Sequence, residues 1–300
     1  MTRAAAISLA ALAACAAPEG PPERWADAAP PGVDVLEGAA DPAVVTDPSL
    51  RAAIDGTGLP WRVRHRRSGM ELLLVPPMGF ERGAALGDQE AADDERPAHA
   101  AAVTAPFYLG RHEVTAAEWE AVTGERPGFF SPDSGDAAPI ESVSYFAAQD
   151  FAAAAGLQLP TESQWEAACR AGGVGARHGP LDEVAWHRGN AGGRPHPVGG
   201  LAPNALGFHD MLGNVWEWTR SGYVADEYAR RAGALATEPL DARGAARGTP
   251  RTVLRGGSWF DPPKRARASA RYATERDLTA GHVGLRAALE LTAPTTPRTP

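Results

Sequence analysis

The chain has 300 residues, a formal net charge of −8, 33 glycines, 27 prolines and eight tryptophans. That length holds one large domain plus a tail, or two small domains, and the turn-rich composition predicts irregular backbone with few long helices, the tryptophans supplying buried area. Mild acidity, with no basic stripe to neutralise phosphates, excludes nucleic acid as a partner.

The chain opens with a short positive end, Met1-Thr-Arg3, and a small-residue apolar run from Ala4 to Ala14. The run is too short to cross a bilayer as a helix. It ends at Leu12-Ala-Ala-Cys15, which resembles a bacterial lipobox. Residues 1–15 therefore read as a lipoprotein signal with lipid on Cys15, and a plain secretory signal is the alternative. The expected location is outside the cytoplasm, with a membrane touched only through that anchor. Cys169 is the one other cysteine, so a disulfide framework is excluded. Among alanines in a helical stretch, it reads as a small buried hydrophobe. Residues 16–69 combine many prolines with few large apolar side chains and read as a disordered tether. About forty flexible residues give an end-to-end distance on the order of 35 Å.

The folded domain is expected over residues 70–290. Glu71–Val75 is predicted as a buried strand stopped by Pro76-Pro77, with Met78-Gly-Phe80 continuing its edge. The acidic loop 87–97 reads as a solvated surface. Residues 101–109 read as one or two short strands. Thr115-Ala-Ala-Glu118 is a capping box that opens a helix to about Val122, closed by Gly124. Ser144 caps a second helix that ends at Gly156. Thr161-Glu-Ser-Gln164 opens a third, on which Trp165, Ala168 and Cys169 share a core-facing stripe. Beyond Gly172 the periodicity fades into a long loop, of the kind that is functional or ion-stabilised. Residues 221–250 read as an insertion without a core pattern. Strands are predicted at 253–255 and 283–289, and 291–300 is a Pro/Thr tail expected to be disordered.

The chain is organised around Gly207-Phe-His-Asp-Met-Leu-Gly-Asn-Val-Trp-Glu-Trp-Thr219. Trp216, Glu217 and Trp218 alternate as in a strand, after a turn at Gly213-Asn214. Asp210 and Glu217 flank that turn, and a hard cation such as Ca²⁺ seeks oxygens of this kind. The alternative is a tryptophan-rich hairpin in which Glu217 caps a backbone donor. No zinc-ligand spacing, nucleophile elbow or phosphate-binding glycine loop is present. His178, His187, His196, His209 and His282 are scattered through loops and read as non-ligands.

The central stretch resembles the signature of the formylglycine-generating enzyme, or sulfatase-modifying factor, family. Four more stretches match in order: Pro106–Thr115, Leu159–Ala168, Leu254-Arg-Gly-Gly-Ser-Trp259 and Val283-Gly-Leu-Arg286. The resemblance implies an α+β class, the formylglycine-generating-enzyme variant of the C-type lectin-like fold, with low regular structure and bound calcium. It places calcium oxygens at Asp210, Gly213, Val215 and Glu217. A second calcium site is matched only in its first half, at Asn190 and Ala191.

Members with the sulfatase-maturing activity carry a copper(I)-binding cysteine pair after the Gly-Gly-Ser. Here those positions are Asp261 and Ala266, and a soft Cu(I) ion wants thiolates, so copper is not expected. Another branch, resembling ergothioneine-pathway sulfoxide synthases, adds an iron-binding helical domain, for which residues 16–69 are too short. The expectation is a tethered binding or accessory domain with an unidentified protein or glycan ligand. An enzyme using the same cleft would draw on Ser258, Asp261, Arg255, Arg267, Arg271 and Arg286. For the arginines, a structural role satisfying carbonyls competes with that reading.

Overall fold

The computed structural model describes residues 23–130, 134–233, 236–237 and 250–291. Helix α1 (Glu23–Ala28) leads to strand β1 (Val33–Glu37), and α2 (Pro48–Asp55) to β2 (Arg62–His65). Next come β3 (Glu71–Val75), β4 (Met78–Arg82), β5 (His99–Val103) and β6 (Phe107–Gly110). Helices α3 (Ala116–Thr123), α4 (Tyr145–Ala155), α5 (Glu162–Arg170) and α6 (Leu181–Val184) follow. The rest is β7 (Ala185–Trp186), β8 (Leu212–Gly213), β9 (Trp216–Gly222), α7 (Glu227–Arg231), β10 (Ala236–Thr237), β11 (Arg251–Arg255), β12 (Arg271–Glu275), β13 (Val283–Leu285) and β14 (Ala288–Glu290). None of the described helices is long and apolar enough to cross a membrane.

The class is α+β, as expected. One sheet has the order β1-β2-β3-β6-β14, wholly antiparallel. A second has β12-β11-β9-β13, with β13 parallel to β9. Two small sheets, β10-β5-β4 and β7-β8, complete the set. Helix α5 packs against β4, β5, β9 and β11, and all nine of its residues are buried. A helix buried on every side must still satisfy its ends and charges. Its capping box does the first: Thr161 Oγ1 accepts from Gln164 N at 3.1 Å, and Gln164 Oε1 accepts from Thr161 N at 2.9 Å. The same device opens α3 through Thr115 and Glu118.

Several expectations are corrected. Residues 16–69 are not a tether from Glu23 on: α1, β1, α2 and β2 form there, and Trp25, Val33, Val45, Ile54, Trp61 and Val63 are buried. Sparse apolar residues suffice because each is an anchor, with proline and glycine left to the turns between them. Arg62–Arg67, within the stretch read as a tether, supplies β2 and pairs with neighbours, Arg62 with Glu37 at 2.6 Å and Arg66 with Asp34 at 2.7 Å. Met78–Phe80 does not extend the edge of β3 but begins β4, which pairs with β5 in another sheet. The stretch 283–289 divides into β13 and β14, which belong to different sheets. Part of the 221–250 insertion is integral, since Glu227 on α7 binds buried arginines. The signal at 1–15, Cys15 and the tail beyond residue 291 lie outside the described residues.

Candidate functional site

Strand β9 is central in its sheet, so both of its faces are covered, and Trp216, Glu217 and Trp218 are all buried. Glu217 does not cap a backbone donor. Its Oε1 takes Arg286 Nη2 at 2.7 Å, and its Oε2 takes Trp165 Nε1 at 2.6 Å. The turn before it is tight: Asp210 and Asn214 sit at φ 54° and 52°, and a Cβ on Gly213 would lie 2.2 Å from the Trp186 carbonyl oxygen. Left-handed non-glycine residues cost roughly 1–2 kcal/mol each. Asn214 offsets that with side-chain hydrogen bonds from His196 N at 2.9 Å and to Glu113 at 3.2 Å.

Glu113 completes this centre and was missed in the sequence, although it stands inside the quoted 106–115 stretch. It is buried, and Val215 N donates to its Oε1 at 3.3 Å. Glu113, Asp210 and Glu217 thus gather around one guanidinium, Arg286. Burial pushes all three carboxyls above their ordinary range, and for Glu113 the Asp210 and Glu217 charges add to the rise. A surplus of buried negative charge fits a divalent cation. Glu217 is nevertheless held on both oxygens, and Asp210 Oδ2 accepts from Gly199 N at 2.6 Å. Among the described residues no three His, Cys, Asp or Glu side chains stand as a group that could hold a metal. A cation here would therefore rest on Asp210 and the carbonyls of Gly213 and Val215. At the weaker site, Asn190 Oδ1 already accepts from His187 N at 2.8 Å, and the Ala191 carbonyl from His196 Nε2 at 2.9 Å.

The arginines proposed for chemistry are structural. Arg271 grips Glu162 through Nε at 2.7 Å and Nη2 at 3.0 Å. Arg82 reaches the same carboxylate at 2.8 Å, Arg255 reaches it at 3.3 Å, and Arg255 also binds Glu166. Arg82 and Arg271 lie over the Tyr228 ring, 4.8 and 4.6 Å from its centroid. Arg267 makes a two-pronged pair with Glu95 at 2.6 and 2.7 Å, so the loop read as solvated is tied into the core. Burial alone would raise the Glu162 carboxyl, but Arg271, Arg82 and Arg255 outweigh it and hold it at about 2. Arg267 and Arg271 are thus both buried and engaged with core carboxylates.

Ser258 and Asp261 do come together. Ser258 Oγ donates to Asp261 Oδ2, which also accepts from Trp216 Nε1 at 2.7 Å. Gly257 (φ 84°) makes the bend, and a Cβ there would meet the Arg265 carbonyl at 2.8 Å. Ala266 is buried. Cys169 is buried on α5, its thiol pushed up to about 12 by burial. Beside Ser258 runs a chain of rings. Phe129 meets Phe130 (82°), Phe130 meets Trp259 (84°), Trp259 meets Phe260 (75°), and Phe260 stacks on His282. Phe129 is 76% exposed and Phe260 52%. The Arg188 guanidinium lies over Phe260. Exposed phenyl rings in a contiguous patch mark a contact surface.

Comparison with known proteins agrees with this architecture. The sequence pattern of the sulfatase-modifying factor enzyme 1-like domain matches residues 61–291. A hercynine oxygenase of Mycolicibacterium thermoresistibile is 36% identical over 231 residues, 60% of this chain and 50% of that protein. A formylglycine-generating enzyme of Thermomonospora curvata is 34% identical over 206 residues, 62% of this chain and 65% of that one. The chain thus spans about half the length of the hercynine oxygenase it matches. PvdO from Pseudomonas aeruginosa has a similar structure, with a TM-score of 0.66 and 25% identity over 77% of this chain and 98% of its own. Treponema denticola variable protein 1 shares the fold, with a TM-score of 0.63 over 73% of this chain and 95% of its own at 21% identity. The chain belongs to the sulfatase-modifying factor enzyme 1-like family.

Proposed function

We propose that this chain is an exported binding or accessory domain that holds a protein segment on the ring surface beside Ser258, and that it is not a copper-dependent formylglycine oxidase. The observation that carries the reading is the ring surface itself. Its members meet edge to face, at 75–84°. That stepped relief suits the side chains of an extended peptide better than the flat faces of sugar rings. Phe129 and Phe260 also offer no polar group to sugar hydroxyls.

The oxidase is disfavoured by residue type. Asp261 and Ala266 stand at the positions of the thiolate pair, one carboxylate spent on Ser258 and Trp216, the other side chain a buried methyl. Soft Cu(I) is held tightly by thiolates. The one thiol of the described residues, Cys169, is buried and kept protonated. The second reading, an enzyme of the same family, is supported by relatives named as enzymes. Peptide and glycan arrays probed with the wild-type chain and with Phe129→Ala/Phe260→Ala test the first reading. Peptide hits that the double variant loses are expected, whereas glycan hits that depend on Phe260 would overturn it. A sulfatase-type cysteine peptide incubated with the copper-loaded chain should yield no aldehyde above a no-protein control. Aldehyde formation would favour the enzyme.

A lipid on Cys15 and one Ca²⁺ on Asp210 and the carbonyls of Gly213 and Val215, with Glu217 beside it but held by Arg286 and Trp165, belong to the same proposal. Mass spectrometry of the membrane fraction should find a diacylglyceryl-modified N-terminal peptide. A soluble form cleaved elsewhere would count against the anchor.

A further inference from the structure

A cleft of about 650 Å³, sharing no lining residue with the ring surface, opens between the end of β6, the start of α3 and the 198–199 and 209 turns. It is within the size range of small-molecule sites. Its hydrogen-bonding groups are unevenly spent. The donors of the α3 N-terminus are used: Ala116 N donates to Ala138 O at 2.8 Å, Ala117 N to Asp136 O at 3.3 Å, and Glu118 N to Thr115 Oγ1 at 3.2 Å. Gly199 N donates to Asp210, and Val198 N to the Ala137 carbonyl. Arg111 gives Nη1 to Glu71 at 3.0 Å and Nη2 to His209 Nε2 at 3.5 Å.

The acceptors are another matter. His112 Nδ1 lies 2.8 Å from the Glu113 carbonyl, and a carbonyl only accepts, so that nitrogen carries the proton and Nε2 carries a lone pair. Burial pulls His112 down to about 4, so the ring is neutral near pH 7. Among the described residues no hydrogen bond to His112 Nε2 is formed. Glu118 Oε2 accepts from Thr115 N at 2.8 Å, which leaves Oε1 for a ligand; burial raises this carboxyl to about 7, and a bound ammonium group would favour its ionised form. Asp136, at the rim, is 80% exposed along its side chain, with Oδ1 paired to Arg126 at 2.8 Å. His112 and Glu118 thus present acceptors to the cleft, while the N–H groups of the α3 N-terminus, Val198 and Gly199 are taken. No three side chains of the described residues could hold a metal ion, so an inorganic cation is the poorer occupant.

We infer that this cleft binds a small organic ammonium compound, an amine or amino sugar, through Glu118 and the His112 lone pair. Such a ligand brings N–H donors and a positive charge to these acceptors, the cleft's own guanidinium, Arg111, being spent on Glu71 and His209. This site is separate from the ring surface and does not depend on its ligand.

The test is calorimetric titration of the full chain at pH 7.5 with putrescine and glucosamine, using N-acetylglucosamine and glucuronate as neutral and anionic counterparts. Either ammonium probe should bind in the millimolar range, at least tenfold more tightly than both counterparts. Glu118→Gln is the informative variant, because glutamine keeps the capping box while removing the charge. It should retain the melting temperature and weaken ammonium binding at least fivefold. Failure of both ammonium probes, equal binding of N-acetylglucosamine, or undiminished binding by a folded Glu118→Gln would each overturn the inference.

Discussion

Two buried ionic centres meet α5, one through Glu162 and Glu166 and the other through Trp165, and they behave in opposite ways. In the first, Glu162, Glu166 and Glu227 face Arg82, Arg170, Arg255 and Arg271. In the second, Glu113, Asp210 and Glu217 face Arg286 alone. Burial penalises every one of these carboxylates. Where guanidinium groups match or outnumber them, the Glu162 and Glu166 carboxyls are driven below their ordinary range. Where carboxylates outnumber the guanidinium, all three are driven above it. The difference lies in local charge balance, since burial is common to both. The balanced centre is a finished structural element, and the unbalanced one calls for a further positive charge.

The largest effect should come from breaking the balanced centre. Glu162→Gln removes the carboxylate shared by three buried guanidiniums, and removing one partner of a buried ion pair costs about 3–5 kcal/mol. Urea unfolding should show a correspondingly lower midpoint, and a loss below about 1 kcal/mol would mean that the network is plastic. Calcium is the next test, aimed at the unbalanced centre. A cation bound only by the folded chain adds about 2.7 kcal/mol at one hundred times its Kd. Melting curves in saturating Ca²⁺ and in EDTA should differ accordingly, and coincident curves would remove calcium from this fold.

The two centres should also respond to pH with opposite signs. Glu162 has a depressed folded pKa, so its contribution is complete above about 4.5 and is lost as the pH falls toward about 2. Glu113, Asp210 and Glu217 have raised folded values, so their contribution is complete at acid pH and is lost as the pH rises past the ordinary carboxylate range. Unfolding free energies measured in EDTA should therefore fall on both sides of a mildly acid optimum, and added Ca²⁺ should flatten the alkaline side. A calcium-free profile rising steadily to pH 8 would contradict this. The smallest effect belongs to Glu113→Gln. Without calcium it relieves charge in the crowded centre while keeping one acceptor for Val215 N, so its cost should stay within about 1 kcal/mol, the size of a single hydrogen bond. A loss as large as that of Glu162→Gln would erase the distinction.

What the sequence showed follows from the range of its signals. The capping boxes at Thr115–Glu118 and Thr161–Gln164 are local, and both helices begin there. Gly124 and Gly156 end their helices at φ 77° and 75°, as glycine permits. The five quoted motifs all fall inside the matched region. Long-range partnership was not legible. Glu162, Glu166 and Glu113 sit within those motifs, yet most of their partners are remote in the chain: Arg82 lies 80 positions from Glu162, Arg271 109 from Glu162 and Val215 102 from Glu113. Arg267 and Arg271 looked chemical beside Ser258 because nothing nearby in the chain announces Glu95 or Glu162. The ring surface was hidden for the same reason: Phe129 and Phe260 belong to separate loops that only the fold brings together.

The order found in residues 23–69 also sets a working distance. If lipid is attached at Cys15, only eight peptide steps separate it from the first residue of α1. At full extension they reach about 28 Å, at roughly 3.5 Å per residue. The start of the folded unit would then ride within about 3 nm of the headgroups, less than the breadth of a compact unit of this length. A partner in the same membrane would meet it from the side, and one crossing the surrounding space would find the membrane-facing side shaded.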